Sequence, residues 1–151
     1  MRRKIWILWC FLIFDSSICL SEELPANRWY LEVYAPLWSE NVKANLEKII
    51  SMYDTNIHDH TDTDGVEIVD SRNWLTGSID NWLAEDWISS DVTSFEYDLL
   101  NSATATFKLK WKDNYKDGSV EYSCSWYLAD RKNNRWVFTQ FAEIDCGAHG
   151  L

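Results

Sequence analysis

Two of the chain's three histidines and three aspartates fall within nine residues, 57–65, reading IHDHTDTDG. His60, Asp62, Asp64 and Gly65 imitate positions one, three, five and six of a calcium loop. The first ligand would be a histidine, however, and the twelfth position is Ser71, where a bidentate glutamate is required, so calcium is rejected. His58 and His60 alternate, so in a strand their rings would share a face and could share a zinc ion. Zinc needs a third and usually a fourth ligand, and the one remaining histidine is His149, near the C-terminus. No metal is expected, and no motif for a cofactor is present. Two readings remain: an acid/base site built on His58, Asp59 and His60, or a solvated polar turn with Asp62, Asp64 and Gly65 as turn-formers.

Which of these holds depends on the elements that carry the stretch. A basic start (Arg2, Arg3, Lys4) and an apolar run over 5–14, followed by small residues, have the layout of a secretory signal and are short for a membrane span. Residues 1–21 are read as that signal, with cleavage after Ser21, in preference to an uncleaved anchor or a lipoprotein. Removing three of 14 basic residues and one of 24 acidic ones leaves 11 against 23, which moves the formal charge from -10 to -12. So acidic a surface argues against nucleic acid and anionic lipid as partners. Cys10 and Cys19 leave with the signal. Cys124 and Cys146 then form either one disulfide, as suits an oxidising compartment, or a buried strand thiol and a free thiol.

Residues 22–151 read as one domain. The spacing of Leu24, Trp29, Leu31 and Tyr34 allows a short helix that Pro36 must break. Trp38, Val42, Leu46, Ile49, Ile50 and Tyr53 recur at helical intervals, which predicts a helix ending near Asp54. A short strand over 66–69 follows, then a helix started by Gly77 and capped by Ser78, with Ile79, Trp82, Leu83 and Trp87 on its apolar side. Strands are predicted over 92–100 and 103–112, the second with Ala103, Ala105, Phe107, Leu109 and Trp111 on one face. Asp117-Gly118 closes a tight hairpin. The next strand is expected to turn Val120, Tyr122, Cys124, Trp126 and Leu128 inward, and a last strand runs over 136–144. Helices followed by a curved antiparallel meander make an α+β fold.

The order and spacing of NLEKIISMYDTNIHDH, LTGSIDNWLAEDW, VTSFEYDLLNSATATFKLKW and NNRWVFTQFAEI, across residues 28–145, resemble the NTF2-like superfamily and its SnoaL-like branch. The resemblance implies a cone, a bent sheet around about three helices with a pocket at its wide end. Aromatic side chains are natural pocket walls, and eight tryptophans remain after signal removal. Trp38, Trp82 and Trp126 are the expected walls, with Tyr53 and His58 beside them as ligand-binding residues. In enzymes of this kind a carboxylate or histidine just after the long helix removes a proton; Asp59 or His60 would be that base and Tyr34 or Tyr97 the donor. The isomerase pattern of tyrosine and protonated aspartic acid is incomplete here. Expectations are therefore threefold: an exported module binding a small apolar or aromatic ligand, a proton-transfer enzyme, or an assembly domain that dimerises through its sheet, where Lys108, Lys110 and Lys112 do not suit a dry interface.

Export predicts that mass spectrometry of the native protein finds a chain beginning near residue 22. An intact residue 1 would point to the anchor instead.

Overall fold

The computed structural model describes residues 24–61 and 65–151. The expected signal and the turn-formers Asp62 and Asp64 lie outside the described residues. No helix among the described residues is long and apolar enough to cross a membrane.

Pro36 does impose a fresh start. Helix α1 (Ala26–Trp29) runs into a π-helical turn (Tyr30–Tyr34), closed where Ala35 N donates to Tyr30 O at 2.9 Å, and α2 (Pro36–Ser39) begins with proline at its first position. Proline is suited to that place because it has no N–H to leave unpaired. The turn keeps Trp29, Tyr30, Tyr34 and Trp38 all on the buried side. Helix α3 (Val42–Ile50) is shorter than its apolar spacing implied, and Tyr53 opens a strand instead of closing the helix.

Helix α4 (Ser71–Ala84) starts earlier than expected. Its cap is Asp70, whose carboxylate accepts from Asn73 N at 2.9 Å, and Gly77 is an exposed interior residue with open space around it. The helix ends before Trp87: Asp86 takes a left-handed φ of 65°, and Trp87 is the first residue of a strand.

Six strands form one sheet: β1 (Tyr53–Asp59), β2 (Glu67–Asp70), β3 (Trp87–Asn101), β4 (Thr104–Tyr115), β5 (Val120–Lys132) and β6 (Arg135–Glu143), in the order β2-β1-β6-β5-β4-β3. All neighbours are antiparallel except β1 and β6, which pair in parallel, so the sheet is mixed where a purely antiparallel one was expected. Its concave face packs on the helices around Phe138, whose ring centre lies 4.7 Å from Tyr34, 4.9 Å from Trp29 and Tyr127, and 5.0 Å from Tyr53.

The inward face of β5 is the reverse of the one expected. The β4–β5 turn spans three residues, 116–118, with Gly118 at φ 85°, Gly118 N donating to Tyr115 O and Ser119 N donating to Asp117 Oδ1. A two-residue Asp-Gly turn would set Trp111 opposite Cys124; the extra residue sets it opposite Ser123. Because side chains alternate strictly, that single step carries Ser123, Ser125, Tyr127 and Ala129 inward and turns Tyr122, Cys124, Trp126 and Leu128 out. Tyr122 is accordingly 59% exposed.

The outer face holds a disulfide between Cys124 and Cys146, with Cα atoms 5.3 Å apart. The β5–β6 turn is the tight pair Asn133-Asn134, both at positive φ, so Cys124 lies opposite Ile144 and not near Phe141 as a longer turn would have placed it. The C-terminal tail does fold back over the sheet, where Lys110 Nζ donates to Leu151 O at 3.1 Å.

The bridge closes a span of 22 residues, so its loss should cost about 3 kcal/mol through the freedom restored to the unfolded chain. Denaturant unfolding with and without reductant measures this. Two titratable thiols from Cys124 and Cys146 in the denatured, non-reduced chain would overturn the bridge.

Candidate functional site

The cone holds a cavity of about 240 Å³. Its walls come from every layer of the fold. Trp38 comes from α2, Trp74, Leu75 and Trp82 from α4, Trp87 from the start of β3 and Trp111 from β4. The sheet adds Tyr53, Tyr115, Tyr127 and Phe141.

Three indoles stand mutually inclined. Trp38 and Trp82 have ring centres 6.2 Å apart at 57°, Trp82 and Trp87 5.6 Å at 63°, and Trp38 and Trp87 6.4 Å at 62°. Trp111 closes on Trp38 at 6.3 Å. The Trp38–Trp87 and Trp82–Trp87 contacts are edge-to-face, a favoured way to pack aromatic rings. The Trp38 Nε1 donor is buried and has no partner among the described residues.

Four carboxylates also line the cavity: Glu85, Asp113, Glu121 and Glu143. Asp113 is fixed by a relay in which Trp87 Nε1 donates to Ser90 Oγ at 3.0 Å, Ser90 donates to Asp113 Oδ1, and Ser123 Oγ donates to Asp113 Oδ2 at 2.7 Å. Tyr115 donates to Glu121 at 3.2 Å. Burial first, and then Glu121, Asp113 and Glu85 around it, raise the Tyr115 hydroxyl above its ordinary pKa.

Behind Tyr53 lies a buried tyrosine cluster. The hydroxyls of Tyr34 and Tyr53 are 2.5 Å apart, and Tyr127 adjoins both. Desolvation holds Tyr30, Tyr34 and Tyr53 well above the usual phenol range and pushes Tyr127 up to about 12, with Tyr34, Ser125 and Tyr53 moderating the last. All four are protonated donors at neutral pH. The hydroxyl of Tyr30 makes no hydrogen bond of good geometry among the described residues.

Of the residues singled out from sequence, Trp38, Tyr53 and Trp82 line the cavity, and Tyr34 stands one hydrogen bond behind it. The others stand outside its wall. His58 is exposed, and the half-buried His60 contacts Gln140 Oε1 through Nε2 at 3.0 Å and meets the edge of Trp126 at 6.3 Å, all on the outer face. His60, one of the two candidate bases, is turned away from the cavity because His58 and His60 pair with the outward side of β6, at Gln140 and beyond. Asp59 lies opposite Phe141, but its carboxylate accepts from Thr61 N at 2.9 Å, holding the strand end. Trp126 is outside because of the β5 phase, and Tyr97 is 41% exposed, stacked on Phe95 and Phe107. Among the described residues no three His, Cys, Asp or Glu side chains gather as a metal site.

The carboxylates and Tyr127 were not picked out. Their signal was the one extra residue in the β4–β5 turn, together with the position of Trp87 after the helix.

Because folding raises the pKa of four tyrosines, the unfolded chain loses its phenolic protons near pH 10 while the native chain keeps them. The stability they confer is full below pH 10 and is lost as the pH rises toward 12. Phenolate absorbance near 295 nm should therefore appear in two steps, the second coinciding with unfolding. A single early step with native circular dichroism would contradict the buried cluster.

No family model and no curated protein matches the chain in sequence. Solved structures do match in shape. An NTF-2 like protein of unknown function from Shewanella oneidensis superposes over 74% of this chain and 89% of its own, at 15% identity and a TM-score of 0.58. An NTF2-like protein with a cystatin-like fold from Novosphingobium aromaticivorans covers 78% and 77%, at 14% identity and 0.57. The hexachlorocyclohexane dehydrochlorinase LinA-type3 from Novosphingobium barchaimii covers 68% and 73%, at 10% identity and 0.50. At these identities the agreement is one of architecture: the chain has the NTF2-like fold.

Proposed function

We propose that the protein is an exported binding module that holds a small, largely apolar or aromatic ligand in its cone without turning it over. The observation that carries this is the cavity itself, in which five tryptophans face a space of about 240 Å³. Concave, aromatic-lined space with a few fixed polar groups is the usual form of a small-molecule site. Export is supported by the Cys124–Cys146 disulfide, since such bonds persist in oxidising compartments.

A second reading, proton-transfer catalysis of the isomerase, cyclase or dehydratase type, is favoured by the protonated tyrosines in the wall. Tyr53 and Tyr127 supply donors for a developing oxyanion, and the reading is supported by a structure of similar shape that is named a hexachlorocyclohexane dehydrochlorinase. With His60 on the outer face and Asp59 at a strand end, the base in that reading is Asp113, fixed by two serine hydroxyls.

Titration with a neutral aromatic probe such as 2-naphthol should quench tryptophan fluorescence saturably at one site per chain. Trp82→Ala, at a half-buried wall position, should weaken binding about tenfold, equivalent to ~1.4 kcal/mol. Quenching that never saturates, or that Trp82→Ala leaves unchanged, would sink the binding reading.

A further inference from the structure

We infer that the ligand is a small organic cation, an ammonium bearing alkyl or aryl groups, held between the inclined indoles and the four carboxylates of the cone. This rests on the cone being a ligand pocket and specifies what it takes.

The charge pattern is the first ground. Glu85, Asp113, Glu121 and Glu143 line the cavity, and no lysine, arginine or histidine among the described residues does. The five ion pairs among the described residues, Arg28–Glu32, Lys43–Asp80, Arg72–Glu47, Lys116–Asp86 and Lys132–Asp54, all lie elsewhere. Lys110, by contrast, sits on the outer face against Tyr122 and Leu151. Asp113 is half-buried and Glu85, Glu121 and Glu143 are exposed, so together they set a negative potential around the concave opening. An anionic ligand is repelled there, and a neutral one gains nothing from it.

The aromatic geometry is the second and independent ground. Trp38, Trp82 and Trp87 meet pairwise at 57° to 63°. Three rings so inclined form adjoining sides of the cavity wall instead of a stack. The face of an indole carries the negative end of its quadrupole, and tryptophan is the strongest of the aromatic residues for holding a cation. The two grounds are tied together, because the Trp87 indole is hydrogen-bonded through Ser90 to Asp113. That relay holds one side of the cavity wall and one carboxylate in a fixed relation.

A compact metal ion is a poorer fit. Both Asp113 oxygens already accept from serine hydroxyls, and no three ligating side chains converge among the described residues. A bulky ammonium needs no coordination shell. It asks for aromatic faces, an apolar volume and negative charge nearby, which are the three things the cavity offers.

The test compares phenyltrimethylammonium with its neutral isostere tert-butylbenzene, titrated into the disulfide-bonded protein by calorimetry and tryptophan fluorescence. The cation should bind at least tenfold more tightly, with a Kd that rises with salt. Glu143→Gln and Asp113→Asn should each weaken the cation about fivefold, a larger loss than either variant causes for the isostere. Trp82→Phe should weaken the cation less than Trp82→Leu, and thermal melts confirm that each variant is folded. If the isostere binds as tightly as the cation, or if the carboxylate variants bind the cation unchanged, the cation inference is overturned and the apolar pocket stands. If neither compound binds, both readings fall.

Discussion

The phase of β5 is the constraint on which the cavity depends. It is set by a three-residue turn, 116–118, whose geometry is held by Gly118 in the left-handed region and by the Asp117 carboxylate on Ser119 N. In that phase Ser123 reaches Asp113, Ser125 and Tyr127 face the cavity, and Cys124 turns out to meet Cys146. The opposite phase would bury Trp126 and Tyr122 and send the disulfide into the cone. Neither arrangement can be approached gradually, since a strand has only two faces.

Around that strand the interior divides by chemistry. Phe138 gathers Trp29, Tyr34, Tyr53 and Tyr127 within about 5 Å, and all five belong to the buried core. The acidic groups stand apart from it, on the ends of β4, β5 and β6 and at the last turn of α4. The histidine stretch serves this arrangement from outside. His60 and Gln140 link β1 to β6, His60 N donates to Phe141 O, and Thr61 Oγ1 accepts from Glu143 N at 3.0 Å. What looked like an acid/base cluster is a strand and its end, and one of its effects is to hold the backbone of the Glu143 carboxylate.

Much of this was legible in the sequence. The element order and the inward face of β4 follow from hydrophobic period, which reports burial directly, and a pocket at the wide end of the cone was what the resemblance implied. Trp38 and Trp82 were expected at the cavity from their helical stripes, whereas Tyr53 reaches it from the first position of β1 and not from a helix. What escaped was anything decided by one residue of chain length. Gly77 reads as a helix breaker, yet the apolar positions Leu75, Ile79 and Trp82 continue across it and Asp70 supplies the cap. Asp117-Gly118 fits turns of two residues and of three, and the two place Trp126 and Tyr127 on opposite faces. The parallel pairing of β1 with β6 leaves no local trace at all, because the partners are about 80 residues apart.

The π-helical turn at Tyr30–Tyr34 bears on how such a sequence can change over evolutionary time. Substitutions within it alter one side chain each, and many would be absorbed. Deleting a single residue would swing Trp29 by about 100° relative to Trp38, taking one of them off the buried side. The first helical segment of this chain therefore tolerates a change of side chain better than a change of length.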